Sequence, residues 1–294
     1  MIRPRPIREL TIEAGRYISA ASGLAHTGEH IYVVADDERE LGVFPSRGDA
    51  PGRLARFLPG DLPADREERK RHKPDMEALA LLPGALLALE SGSRPERRGG
   101  VLWNLDKRGA LAGDPRRLDL RPLYEALERD IPDLNIEGAT VAGADLLLFQ
   151  RGNGPGGVNA VVTLVLAGVR DAIAEGRIDA RAVLDVRRHD LGEIDGVRFC
   201  FSDATALRDG RVLFTAVAEG GEDTYHDGEC VGAGIGMLDA AGDVVSWEQL
   251  DPAFKVEGIE AHDDGDGPVI LLVADADDPT SPSVMLRAPL PYPA

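Results

Sequence analysis

The sequence predicts an all-β fold, a five-bladed β-propeller built from four-stranded antiparallel blades. Three observations predict it. A short motif recurs five times, led by Ser22, Glu77, Glu137, Asp203 and Glu257, at steps of 55, 60, 66 and 54 residues. The step from Glu257 round through the termini to Ser22 is 59, one more repeat, so the chain reads as a closed ring. Each motif also opens a series of short apolar runs separated by Gly, Pro, Asn and Asp turns, and a period of this size marks a repeat architecture.

In the first repeat, Ser22-Gly23-Leu24-Ala25 is followed by a turn at Thr27-Gly28-Glu29 and the run 30–35. Leu41-Gly42-Val43-Phe44 and 54–58 supply its third and fourth strands. The second repeat runs from Glu77 through a Pro83-Gly84 turn to 85–89, then 100–105. The third runs from Glu137 to 145–149 and 160–166, the fourth from Asp203 through Asp209-Gly210 to 212–217, 235–238 and 244–247. The fifth has 257–260, 269–273 and 284–287, and then the chain runs out. Its fourth strand is expected from the N-terminus, at Glu9 to Glu13, which would close the ring and protect the sheet edges. Two stretches read as helical, 123–131 and 169–176, too few for the crossovers of a parallel sheet. A single propeller domain over 1–294 is expected.

A net charge of −18 disfavours nucleic-acid backbones and anionic membranes as partners. The basic run Arg66 to Lys73 then reads as a solvated loop. No apolar run approaches the roughly 20 residues of a bilayer span, and residues 1–6 lack the apolar core of a secretory signal. Cytoplasmic residence is the expectation. Two cysteines, Cys200 and Cys230, leave a pairing open without making a disulfide framework.

The innermost strand of a propeller blade lines the central channel, so the motif side chains converge at one mouth. The loops after the second strands lie on the same face. Two acid sets should therefore meet there: Glu77, Glu137, Asp203 and Glu257, with Ser22 as odd member, and Asp36, Glu90, Glu219 and Asp275, with Arg151 as odd member. So many carboxylates would raise one another's pKa values unless a cation sat among them, and oxygen ligands suit calcium better than zinc. The alternative is that individual acids cap turns and hold blades together. Arg151, in Gln150-Arg151-Gly152-Asn153-Gly154, reads as an ion-pair partner of Glu137 or as a clamp on an anionic group. Lys107 and Lys255 read as surface lysines. The glycine-rich runs 152–157 and 232–236 open no helix and fail the dinucleotide test. His226, on the loop 222–230, is a general-base candidate or part of a solvated loop, and no Gly-x-Ser-x-Gly elbow is present.

The elements Ser22-Gly23-Leu24, Asp75-Met76-Glu77-Ala78-Leu79, Ile136-Glu137-Gly138 and Val256-Glu257-Gly258-Ile259-Glu260 resemble the repeats of the bacterial "esterase-like activity of phytase" family. That group is similar in architecture to the calcium-bearing lactonases and the strictosidine synthase-like propellers. The resemblance implies a working site at one end of the channel beside a calcium ion. The lactonase pattern places asparagines among its ligands where this chain has acids. The expected function is a divalent-metal-dependent hydrolase of a small ester, lactone or phosphoester. Glu77, Glu137, Asp203 and Glu257 would hold the cation, and Arg151, Asn153, Asp36 and Asp275 the substrate. Glu90 or Glu219 would move the proton. The alternative is a non-catalytic propeller that binds a small ligand or a protein.

Overall fold

In the computed structural model, which describes residues 1–63, 65–220, 228–263, 268–275 and 278–290, five four-stranded antiparallel sheets follow one another round a ring. Blade one comprises Ala21–His26, His30–Ala35, Glu40–Pro45 and Arg53–Arg56. Blade two comprises Met76–Leu82, Ala85–Glu90, Gly99–Leu105 and Leu111–Asp119. Blade three comprises Ile136–Ala142, Asp145–Gln150, Asn159–Val165 and Val183–His189. Blade four comprises Cys200–Ala206, Val212–Gly220, Glu229–Leu238 and Val244–Gln249. Blade five takes Val256–Asp263, Pro268–Ala274 and Val284–Ala288, and the N-terminal strand Arg5–Glu9 completes it against Val284–Ala288. The closing strand thus lies earlier than Glu9–Glu13. Leu10, Ile12 and Ile18, which follow it, turn inward to pack between blades five and one.

A blade buries both faces, because a neighbour stands on either side. Each junction has its own apolar cluster, for example Leu87, Leu89, Ile136 and Leu148 between blades two and three. Between blades three and four, Phe149, Phe201 and Phe214 meet edge to face, with ring centroids 5.2 and 5.0 Å apart. Such pairs add to burial the attraction of a ring edge for a ring face.

Among the described residues three α-helices decorate the ring. The expected solvated loop at Arg66–Lys73 instead forms α1 (Arg66–His72), because Asp65 caps it by accepting from the Glu68 amide at 2.9 Å, and Arg69 pins it to Asp37 and Glu38. α2 (Arg121–Leu127) and α3 (Leu166–Ala174) start earlier than the helical stretches read from sequence. Pro122 favours the first turn of α2, and Leu166, Val169 and Ile173 give α3 one buried face. No helix among the described residues is long and apolar enough to cross a membrane. Cys200 and Cys230 are both free thiols.

Candidate functional site at the channel mouth

The same irregularity opens every inner strand. Pairing with the second strand skips one residue, and the residues skipped are Ser22, Glu77, Glu137, Ser202 and Glu257. A bulge of this kind leaves one residue out of the ladder and re-aims its side chain. The five bulged residues are the true ring-equivalent set. In blade four that position is Ser202, one residue before Asp203. Ser202 offers a hydroxyl, as Ser22 does, and that shared residue type was the available signal.

The offset decides where Asp203 goes. Its ring equivalents are Gly23, Ala78, Gly138 and Gly258, where inner strands crowd together: a Cβ on Gly138 would stand 2.7 Å from the Asp203 Cα. Asp203 is fully buried and its Oδ2 accepts from the Ile259 amide at 2.9 Å, so it bridges blade four to blade five. Thr140 and Thr205, three residues past their bulges, do the same for the amides of Ala206 and Ala261 at 3.0 and 3.3 Å. Asp203 does not line the mouth.

Glu90 is likewise misplaced by one position. It pairs with Met76, as Ala35 pairs with Ala21, Gln150 with Ile136 and Ala274 with Val256, and these counterparts are buried in the blades. Of the residues one step later, Asp36, Arg151 and Asp275 line the mouth, and Ser91 is buried beneath it. Glu90 accepts instead from the Gly99 amide and from Arg117 at 2.9 Å, away from the mouth.

The mouth is lined by Asp36, Glu77, Glu137, Arg151, Asn153, Glu257 and Asp275, as expected, and by Asp75, Lys70, Lys73, Ser93, Arg97, Asn135 and Lys255, which sequence reasoning passed over or put on the surface. Asp75, Asn135 and Lys255 share one signal: each stands two residues before its bulge. Lys73 and Arg97 carry no repeat signal at all. Lys255 is only 7% exposed. The walls enclose only about 60 Å³ of free space, beneath a wider rim open to solvent.

Two ion-pair networks occupy this space. On the side of blades one and two, Lys73 pairs with Asp36 and, at 3.0 Å, with Asp75. Arg97 meets Asp75 at 3.0 Å and donates to the Lys70 carbonyl at 3.0 Å, while the Ser91 hydroxyl donates to Asp75. On the far side, Arg151 reaches Glu219 at 2.5 Å, Glu137 at 3.5 Å and Glu257 at 3.9 Å. Lys255 reaches Glu219 at 3.3 Å, Asp275 at 3.4 Å and Glu257 at 3.7 Å. Asn135 Nδ2 donates to Glu137 at 2.6 Å. Of the proton-moving candidates, Glu219 pairs with both far-side cations but, like Glu90, does not line the mouth; it faces an adjoining pocket with Arg198 and Cys200.

Burial and neighbours sort the carboxyls. Glu77 is raised well above the usual carboxylate range by burial, then by Glu137, Asp75 and Asp36, with Lys73 pulling the other way. Glu257 is also raised well above it by burial, against the pull of Arg151 and Lys255. For Asp75 burial is overcome by Lys73, Arg97 and Ser91, which hold it below its ordinary value. Burial would lower Lys73, but Asp36, Asp75 and Glu77 raise it well above the lysine range, so it stays charged.

Of the four expected metal ligands, Glu137 and Glu257 face Arg151, and Asp203 is elsewhere. Among the described residues the oxygens that come together are instead those of Asp36, Asp75 and Glu77, with one oxygen of each within 4.8 Å of the others. Its donors suit a hard cation in kind. The Lys73 ammonium already contacts two of the three. His226 lies outside the described residues.

A family model described as "Family of unknown function (DUF6929)" matches residues 17–290. A search of curated proteins found no match. Among solved structures the fold is similar to a hypothetical protein from Leishmania major (15% identity, TM-score 0.50, covering 98% of this chain and 91% of that one). It is also similar to MPT-4, a mannose phosphorylase from Leishmania mexicana (13%, 0.51, 96% and 88%). A third is the α-L-arabinofuranosidase PaAbf62A from Podospora anserina (11%, 0.50, 99% and 98%). At these identities the likeness is one of fold, because one propeller supports many reactions.

Proposed function

The chain belongs to DUF6929, a family of unknown function, and on that premise we propose, from the site alone, that the channel mouth hydrolyses a small ester, lactone or phosphoester. One observation carries this reading: the Glu77 and Asp75 carboxyls lie within 4.8 Å of each other, and burial raises Glu77 while Lys73, Arg97 and Ser91 hold Asp75 below its ordinary value. Environments that push two carboxyls apart in pKa assign an acid and a base. Glu77 would donate its proton to the leaving-group oxygen. Asp75, the ionised member of the pair, would accept the proton of the attacking water, while Glu219, expected in that role, holds Arg151 and Lys255 from outside the mouth. Arg151 would face the oxygen on which charge develops, where a fixed donor acts before any reorganisation. The resemblance to the phytase-like esterase group implies a working site at one end of the channel and no particular reaction, and that finer family assignment stays part of this proposal.

The test is a panel of esters, lactones and phosphoesters with the wild type and Glu77→Gln. The change should lower kcat on the order of 10²- to 10⁴-fold, with binding and thermal stability retained. Unchanged turnover in Glu77→Gln would remove it as the acid. A wild type inert across the panel would favour the non-catalytic, ligand-binding alternative.

A second reading rests on the Asp36, Asp75 and Glu77 oxygens lying within 4.8 Å of one another. A divalent cation such as calcium would be held there in place of the Lys73 ammonium and would supply Lewis acidity. Glu77 would then be a ligand instead of a proton donor. Calorimetric titration with calcium separates the two: binding lost in Asp36→Asn supports the metal, and no heat in the wild type removes it.

A further inference from the structure

The composition of the mouth wall limits what it can hold. Every described residue lining it is charged, or is serine or asparagine; no aliphatic or aromatic side chain takes part. Six carboxyl side chains are accompanied by five cations, and ion pairs stand on both sides of the opening. An anionic ligand would have to pull Lys73 or Lys255 from existing partners, and a cation would have to pull Asp75 or Asp275 from theirs. Breaking a buried pair leaves a charge without compensation, which is costly. An apolar ligand would desolvate this wall with nothing in return. A hydroxyl escapes all three penalties, because it donates to a carboxylate and accepts from an ammonium or amide at once.

We infer that the ligand of the mouth is a small, uncharged, hydroxyl-rich molecule, a polyol or monosaccharide-like compound without an apolar portion. This deepens the hydrolase reading of the same mouth: the ester or lactone would be one of a polyhydroxylated acid or alcohol. Hydroxyls of such a ligand bridge the two networks, the carboxylates of Asp36 and Asp275 accepting and Asn153 and Lys70 at the opening donating.

The test reads binding, independent of turnover. The full chain is titrated calorimetrically with myo-inositol, D-sorbitol and D-glucose, and in parallel with inorganic phosphate, calcium chloride and n-butanol. One or more of the three polyols should bind, and the other three probes should not. Asn153→Ala and Lys70→Ala, at the opening, should each weaken the bound polyol on the order of tenfold, as expected for a lost hydrogen bond to a polar or charged group. Asp275→Asn removes one negative charge and should let inorganic phosphate bind; should that variant fail to fold, the two opening variants still decide. Phosphate, calcium or butanol binding to the wild type more tightly than every polyol would overturn the inference, as would no polyol binding at all. Polyol binding with no hydrolysis would refute the hydrolase reading alone, and hydrolysis restricted to apolar esters would refute this inference alone.

Discussion

Glu260 provides the sharpest stability test of this propeller. It stands three residues past the bulge of blade five, where Thr140 and Thr205 of the preceding blades cap the next inner strand. The next strand here is that of blade one, so Glu260 faces the junction at which the ring closes. Beside it His262 and His26 of the two blades stack with centroids 4.2 Å apart. Burial lifts the Glu260 carboxyl from 4.5 to about 8. The folded chain therefore binds this proton more tightly than the unfolded chain does. Below pH 4.5 the group costs nothing; as pH rises towards 8 the folded state must either hold an unwanted proton or bury a charge. At about 1.4 kcal/mol per factor of ten in proton affinity, the penalty reaches about 3 kcal/mol at pH 7 and about 5 kcal/mol above pH 8. Partial exposure to the channel makes these upper bounds. Glu260→Gln removes the charge at nearly constant shape. Urea unfolding of both proteins at pH 4.5, 7 and 8.5 should give equal stabilities at the lowest pH and a growing advantage for the variant above it. A difference independent of pH, or one that favours wild type at pH 8.5, would refute the burial of this carboxyl.

Other perturbations separate the mouth from its surroundings. Arg151→Met leaves Glu137, Glu219 and Glu257 facing one another with Lys255 alone, and should cost about 3–5 kcal/mol in denaturant unfolding, while Arg151→Lys should recover part of it. Glu90→Gln should leave turnover unchanged and cost about 1–3 kcal/mol through its bonds to Gly99 and Arg117; a selective loss of kcat would return Glu90 to the chemistry. Gly138→Ala drives a methyl to 2.7 Å from the Asp203 backbone and should lower stability by about 1–3 kcal/mol, read by thermal melting. Hydrolysis that depends on a protonated Glu77 should fall as pH rises through its elevated value, and a pH–rate profile flat from pH 5 to 9 would exclude that role.

The blade count was legible because each blade repeats one unit of local chemistry: turn, apolar run, turn. The order of the strands and the closure by the N-terminus follow from that rhythm, and so does the gathering of Glu77, Glu137, Glu257, Asp36 and Asp275 at one end. The misplacements of Asp203 and Glu90 have a common cause. Side chains alternate faces along a strand, so an offset of one residue reverses which side is presented. A bulge at every motif sets that offset, and a bulge is a property of pairing between strands. The pairing turned Asp203 into a strap between blades and put Ser202 in the ring. The mixed charge of the mouth lay further out of reach. Lys73 arrives from the segment after α1, Arg97 from a turn before the third strand of blade two, and neither belongs to the repeated motif.

Periodic residue chemistry by itself determined a closed, fivefold β-ring with carboxyls drawn to one end of its axis. Only the tertiary structure decided that those carboxyls meet internal ammonium and guanidinium groups, because that meeting depends on loops of unequal length folding back over the axis. The electrostatic character of the mouth is set by which charges become neighbours in space, and a count along the chain does not contain it.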